Sequence, residues 1–104
     1  MSSLVDKIEK LDNLVRPLQR IESRLYLGHQ PDAYREINRL IAHMEKEEKE
    51  SPDDGMKNQI RQLRKIGSKV YMGQVVPACR ELGQLIALLN KTKMKIIEEA
   101  DNAK

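Results

Sequence analysis

Two sets of basic residues have the spacing best suited to chemistry in this sequence. Within each set the members are four positions apart, which places them on one face of a helix. They are Arg16, Arg20 and Arg24 in the first set, and Arg61, Lys65 and Lys69 in the second. We call them the first and second basic stripe. Rows of guanidinium and ammonium groups bind phosphates and carboxylates, so both stripes, together with Arg35 and Arg80, are candidate partner- or anion-binding sites.

Two interpretations of the stripes remain open. They bind nucleic-acid phosphates, or they are solvated faces that pair with a partner or with the chain's own acidic segment. Residues 45–54 contain six acids and two bases, so such a segment is present. Stacking aromatics do not interleave the stripes, and neither helix-turn-helix spacing nor a zinc ligand set occurs, which weakens the nucleic-acid interpretation. Within the hairpins, we expect Glu36 and Glu81 to pair across helices, with Arg35 and Arg80 as their partners.

Residues suited to catalysis or metal binding are isolated in this sequence. His43 and Glu47 are four apart on a predicted helix, but nothing supplies a third metal ligand. Cys79 lies near the start of a predicted helix, where the helix dipole lowers a thiol pKa. The simpler interpretation is a half-buried small apolar residue. No acid–base pair, nucleophile constellation or glycine-rich phosphate loop is present, so we expect no enzymatic activity, no metal and no cofactor.

An internal repeat organises these residues. Residues 13–42 and 58–87 align without a gap at an offset of 45 and are identical at 13 of 30 positions, where random pairing gives about two. Each copy has a helix-period apolar stripe, a glycine, and a second apolar stripe, which is the pattern of an αα-hairpin. The copies span about residues 13–50 and 58–95. The repeat therefore predicts one structural unit that occurs twice.

Four helices follow from the apolar spacing and the turn signals. We place them at about residues 4–27, from Pro31 into the acidic segment, at about 56–72, and from near Pro77 to about residue 100. Gly28 and Gly73 end the first and third helices, and residues 51–55 form the linker. Pro17 lies inside the first helix and predicts a kink or break near residues 15–16. A single hairpin cannot bury its own apolar stripe, so the two must pack together.

The predicted fold is a single all-α domain, residues 1–104, in which two tandem αα-hairpins form a four-helix bundle. A two-repeat solenoid is the alternative. The fourth helix is apolar over more than one face, which makes Leu88, Met94 and Ile97 candidates for an interface with a partner or a second subunit. The competing explanation is that the N-terminal extension, residues 4–14, folds over this helix.

The bulk composition bounds the function. The net charge of +3 is too small to imply nucleic acid by itself, and aromatics are 3%. The single cysteine cannot form an internal disulfide, and neither a membrane-length apolar run nor a signal pattern occurs, so we expect a cytoplasmic protein without membrane contact. We predict a non-enzymatic protein–protein interaction or regulatory module, with a homodimer as one form. The alternative is a small basic nucleic-acid-binding protein that contacts phosphates through the stripes.

Overall fold

The described part of the chain forms four α-helices. A computed structural model describes the backbone of residues 3–102 and the side chains of residues 4–102, so the predicted domain extends two residues beyond this range at each end. The helices are α1 (Ser3–Tyr26), α2 (Gln30–Glu50), α3 (Asp54–Tyr71) and α4 (Val75–Asn102). No strand occurs in residues 3–102. The all-α prediction is therefore confirmed.

The four helices pack as a closed ring. Helix α1 lies against α2 and α4, and α3 lies against the same two helices. The longest dimension is 48 Å, close to the roughly 42 Å expected of a 28-residue helix, so the helices run along the length of the molecule. Contact between α1 and α4 closes the ring, which an open solenoid stack does not do. The packing is that of a four-helix bundle, with α1 and α3 at opposite corners.

Most of the core consists of residues that occur in pairs 45 positions apart. Of the 19 buried apolar residues, 16 form such pairs. The pairs are Val15/Ile60, Leu18/Leu63, Ile21/Ile66, Leu25/Val70, Ala33/Ala78, Ile37/Leu82, Ile41/Ile86 and Met44/Leu89. No polar or charged side chain of the described residues is buried. The core is therefore held by apolar burial alone, at about 25 cal/mol per Å² removed from water.

The two hairpin turns have the same backbone geometry. Gly28 and Gly73 have φ of 82° and 80°, the left-handed region that suits glycine. Their N–H groups donate to the carbonyls of residues 25 and 70 at 3.2 and 3.1 Å. The next N–H groups, of His29 and Gln74, each donate at 2.8 Å to the carbonyl five residues back. Both turns are thus Schellman motifs, which satisfy carbonyls at the ends of α1 and α3.

Helices α3 and α4 begin at other residues than predicted, and α1 runs through Pro17. Helix α1 is one helix across Pro17, so the proline does not divide it into two, and a kink at Pro17 stays a prediction. Helix α4 begins at Val75, two residues before Pro77. A proline is tolerated there because the first N–H groups of a helix have no acceptor within the helix, so no hydrogen bond is lost. Helix α3 begins inside the predicted linker, because the Asp53 side chain accepts a hydrogen bond from the Gly55 N–H at 2.8 Å and caps it.

Over residues 3–102, none of the helices combines the length and apolar character needed to cross a bilayer.

Candidate functional site

The two basic stripes lie on opposite sides of the bundle. Arg24 Nε lies 2.8 Å from Glu36 Oε1 on α2, so the first stripe follows the flank of α1 that faces α2. Lys69 Nζ lies 2.6 Å from Glu81 Oε1 on α4, so this end of the second stripe faces α4, whereas Arg61 at the other end lies beside Glu45 and Glu48 of α2. Because α1 and α3 occupy opposite corners of the ring, no flat ligand contacts both stripes. The structure does not bring them together as one site.

Half of the stripe residues are engaged in ion pairs within the bundle. Arg20 Nε lies 3.5 Å from Glu36 Oε2, in addition to the pairs of Arg24 and Lys69 described above. Arg61 donates a hydrogen bond to the side chain of Asn58 on its own helix at 3.4 Å. Arg16 and Lys65 are exposed and form no salt bridge with any described residue. The stripes therefore connect the helices of each hairpin through exposed pairs worth about 0–1 kcal/mol each.

The acidic end of α2 pairs with basic residues of α3. Arg64 contacts Glu45, and Lys57 Nζ lies 3.4 Å from Glu48 Oε1. Neither basic residue belongs to a stripe, and no stripe residue forms a salt bridge with residues 45–54 among the described pairs, so pairing of the stripes with the acidic segment stays a prediction.

The sequence-based partners of the two hairpin glutamates need one correction. Glu36 and Glu81 do pair across their hairpins, but with Arg24 and Lys69 rather than with the neighbouring arginines. Arg35 lies 3.3 Å from Asp32 on its own helix, because both residues follow the same helix at a spacing of three. Arg80 is exposed and forms no salt bridge with any described residue, so both arginines are accessible.

The apolar candidates on α4 do not form one patch. Leu88 and Met94 are 53% and 54% exposed, whereas Ile97 is partly buried. Six residues of helix separate Leu88 from Met94, which sets them about 120° apart around the axis. The N-terminal half of α1 packs beside this helix, and Asp12 Oδ1 lies 2.7 Å from Lys93 Nζ. The N-terminal extension thus covers part of α4, as one of the two explanations requires.

A larger group of exposed apolar side chains lies at the end of the bundle that carries both turns. The side chain of Gln30 donates to the carbonyl of Val70 at 2.5 Å, which joins the start of α2 to the end of α3. We call residues 26–31 and 71–77 the turn end. It holds five of the nine large apolar side chains that are exposed in the described chain. They are Tyr26 (72% exposed), Leu27 (72%), Tyr71 (72%), Met72 (70%) and Val76 (68%).

The turn end is built from equivalent positions of the two hairpins. Tyr26 and Leu27 stand 45 residues before Tyr71 and Met72, and each pair precedes a turn glycine. The ring centroid of Tyr71 lies 5.4 Å from that of Tyr34 on α2. Arg35 and Arg80 lie in the second turns of α2 and α4, beside this end. This surface was not predicted from the sequence, although apolar residues beside a turn glycine, where polar residues are usual, were the available signal.

The remaining candidates are Cys79 and the pair of His43 and Glu47. Cys79 is buried, and this burial raises the pKa of its thiol, with the nearby Glu22 carboxylate adding to the increase. The expected lowering by the helix dipole is therefore not the dominant effect, and the thiol stays protonated at neutral pH. His43 Nε2 lies 2.8 Å from Glu47 Oε1. Among the residues described, no group of three or more histidine, cysteine or acidic side chains could hold a metal.

Comparisons of this chain with protein-family models, with curated protein sequences and with solved structures gave no match.

Proposed function

We propose that this chain is a non-enzymatic interaction module that binds a protein partner through its turn end. The observation that carries the proposal is the concentration of exposed apolar side chains there. Single exposed apolar residues are ordinary on a protein surface, whereas a cluster marks a contact surface. Tyrosine and methionine are also residue types enriched at protein interfaces. Arg35 and Arg80 flank the cluster, so an apolar partner segment with acidic residues at its edges fits best.

The expected strength of this contact follows from the side chains involved. Burying each of the five contributes at most roughly 1.5–3 kcal/mol, and less where the side chain is already partly covered. Association and side-chain ordering cost several kcal/mol. The surplus is a few kcal/mol, less than the roughly 8 kcal/mol of micromolar binding, so these five side chains alone predict a weak contact.

The proposal includes a duplicated αα-hairpin as the origin of this surface. The 13 identities at an offset of 45 support it, as do the eight paired core positions and the two matching turns. A duplicated unit presents two similar turns to the partner. A second copy of the chain, packed turn end against turn end, is one such partner and gives the homodimer. The single free cysteine supports a reducing compartment, and hence the cytoplasm, as the place of action.

The nucleic-acid alternative has narrower support. Arg16, Arg61 and Lys65 are exposed basic side chains without salt bridges in the described chain. However, the stripes face opposite sides, so one duplex meets at most one of them. With so few phosphate contacts, binding would be weak, and its dependence on salt would be shallow because that dependence grows with the number of contacts. An electrophoretic mobility shift at low salt tests this alternative, and no shift would remove it.

Site-specific photo-crosslinking tests the proposal. A benzophenone amino acid replaces Tyr26 or Tyr71 in the tagged protein, which is expressed in its own cells and irradiated. The control carries the same group at Met94, which is 54% exposed but lies on the side of α4. We expect a discrete protein adduct from the two turn-end positions and none from the control. An adduct of twice the chain mass identifies a second copy, whereas adducts from position 94 alone contradict the proposal.

A further inference from the structure

A groove of about 310 Å³ opens at the end of the bundle opposite the turns. All four helices contribute to it, and we call it the distal groove. Its apolar lining is formed by Leu11, Leu14, Leu40, Met44, Met56 and Ile96. Leu14 and Met44 belong to the buried core, while Leu11, Leu40 and Met56 pack against it. The groove is thus an open extension of the core, with a size and lining typical of small-molecule sites.

Two small residues are part of the groove lining. Gly55 lines it on α3 and Thr92 on α4, whereas the longer side chains of Lys10 and Glu47 line it on α1 and α2. Thr92 stands 45 residues after Glu47, so the repeat offset places a smaller residue in α4 than in α2 at this point of the lining.

The rim of the groove carries charged groups of both signs. Lys7 and Lys10 line it and form no salt bridge with any described carboxylate. Glu47 and Asp53 supply two carboxylates to the same rim, and each already has a hydrogen-bonding partner. Glu47 lies 2.8 Å from His43, and Asp53 accepts the capping hydrogen bond from Gly55. The two ammonium groups, three residues apart on α1, are therefore the charged rim groups without a partner.

We propose that the distal groove binds a small amphipathic carboxylate, with its hydrocarbon chain on the apolar lining and its carboxylate beside Lys7 and Lys10. An apolar cavity of about 150 Å³ accommodates benzene. A groove of about 310 Å³ therefore has room for roughly twice as many atoms, which matches a straight-chain carboxylate of about ten carbons. This site is independent of the turn end, so the failure of either proposal leaves the other standing.

Titration with decanoate measures the site directly. Chemical-shift changes in ¹H–¹⁵N spectra of the labelled protein report both affinity and location, with decanol as the neutral probe and decyltrimethylammonium as the cationic probe. We expect saturable decanoate binding in the high micromolar to low millimolar range, because a ligand of about 12 atoms gains roughly 0.3 kcal/mol per atom or somewhat more. Decanol should bind several-fold more weakly than decanoate. Equal affinity for decanoate and the cation, or shifts confined to residues outside the groove, overturns the proposal.

Two variants separate the charge from the cavity. The double substitution Lys7→Gln with Lys10→Gln should lower decanoate affinity roughly three- to tenfold, to the level of decanol, since exposed ion pairs contribute modestly. Thr92→Met fills the groove and should abolish binding of both decanoate and decanol. Thr92 is exposed and its hydroxyl bonds only to the carbonyl of Leu88 on its own helix, so the fold is expected to persist.

A third variant serves as the control for charge. Lys91→Gln removes an exposed ammonium group that does not line the groove, and it should leave decanoate affinity unchanged. Undiminished decanoate binding in Thr92→Met, with an unchanged circular dichroism melting curve, contradicts the assigned location. Retained preference for decanoate in the double lysine variant contradicts the assigned role of the two ammonium groups.

Discussion

Gly67 is buried in α3 against α2, and its replacement by alanine tests how closely these two helices pack. A Cβ at this position would lie 3.2 Å from Cγ2 of Ile37, closer than ordinary van der Waals contact. Ile37 is fully buried and β-branched, so it has little freedom to move away. Alanine stabilises a helix interior over glycine by about 1 kcal/mol. Overpacking of a well-packed core costs about 1–3 kcal/mol, so Gly67→Ala should lower the free energy of unfolding by about 1 kcal/mol.

Gly83 in α4 provides a matched control for this substitution. A Cβ there would also lie 3.2 Å from its nearest neighbour, but that atom is Oε2 of Glu22, at the end of a flexible and only partly buried side chain. The carboxylate can rotate away at small cost. The gain in helix propensity then dominates, and Gly83→Ala should raise the free energy of unfolding by about 0.5–1 kcal/mol.

Urea unfolding followed by circular dichroism at 222 nm gives the free energy of unfolding of each variant. Thermal unfolding is a second measure, because in a domain of this size a change of 1 kcal/mol shifts Tm by about 4–8 °C. Changes of opposite sign in the two variants are therefore readily resolved. Equal stabilisation by both alanines would refute the reasoning, because it would mean that α2 does not press on Gly67. Destabilisation by both would instead show that Glu22 is held in place more firmly than its exposure indicates.

Three further outcomes are expected. Gly28→Ala and Gly73→Ala should each lower the free energy of unfolding in urea by about 1–2 kcal/mol, since both glycines have positive φ. The two losses should add in the double variant. Unequal losses would contradict the equivalence of the two turns. Asp53→Ala removes the cap of α3 and should lower Tm by an amount equivalent to about 1 kcal/mol, whereas Asp53→Asn should largely preserve it. Burial raises the pKa of the Cys79 thiol, so the unfolded chain loses this proton first as pH rises. The free energy of unfolding should therefore fall as pH rises above the ordinary thiol pKa. Cys79→Ala should remove this fall when the free energy of unfolding is measured from pH 7 to 10.

Local patterns in the sequence predicted the elements of this fold well. The spacing of Leu18, Ile21 and their repeat equivalents identified the buried faces, because helix periodicity depends only on residues close in the chain. Gly28 and Gly73 marked both turns for the same local reason, since a left-handed cap residue is favourable only as glycine. The start of α3 was less accurate because the capping role of Asp53 overlaps with the turn chemistry of the linker.

Relations between distant residues could not be predicted in the same way. Arg16 and Arg61 are equivalent in sequence, yet the order of the helices around the ring places them on opposite sides of the bundle. The exposure of Tyr26 and Tyr71 also depends on how the helices pack, because helix periodicity does not show whether the last residues of a helix are covered by its neighbours. The groove is lined by residues of all four helices, among them Gly55 and Thr92, so it becomes evident only once the helices are in place.

The affinity of the crosslinked partner for matched surface variants tests the central claim most directly. Leu27→Ser and Met72→Ser each remove an exposed apolar side chain from one turn, while Leu88→Ser and Met94→Ser remove similar side chains from α4. With the partner purified, calorimetry gives the Kd of each variant. If the turn end is the binding surface, each turn variant weakens binding about tenfold or more, as expected of a central interface residue, and the α4 variants match the unmodified chain. Unchanged affinity in both turn variants, or a loss confined to the α4 variants, would contradict the account.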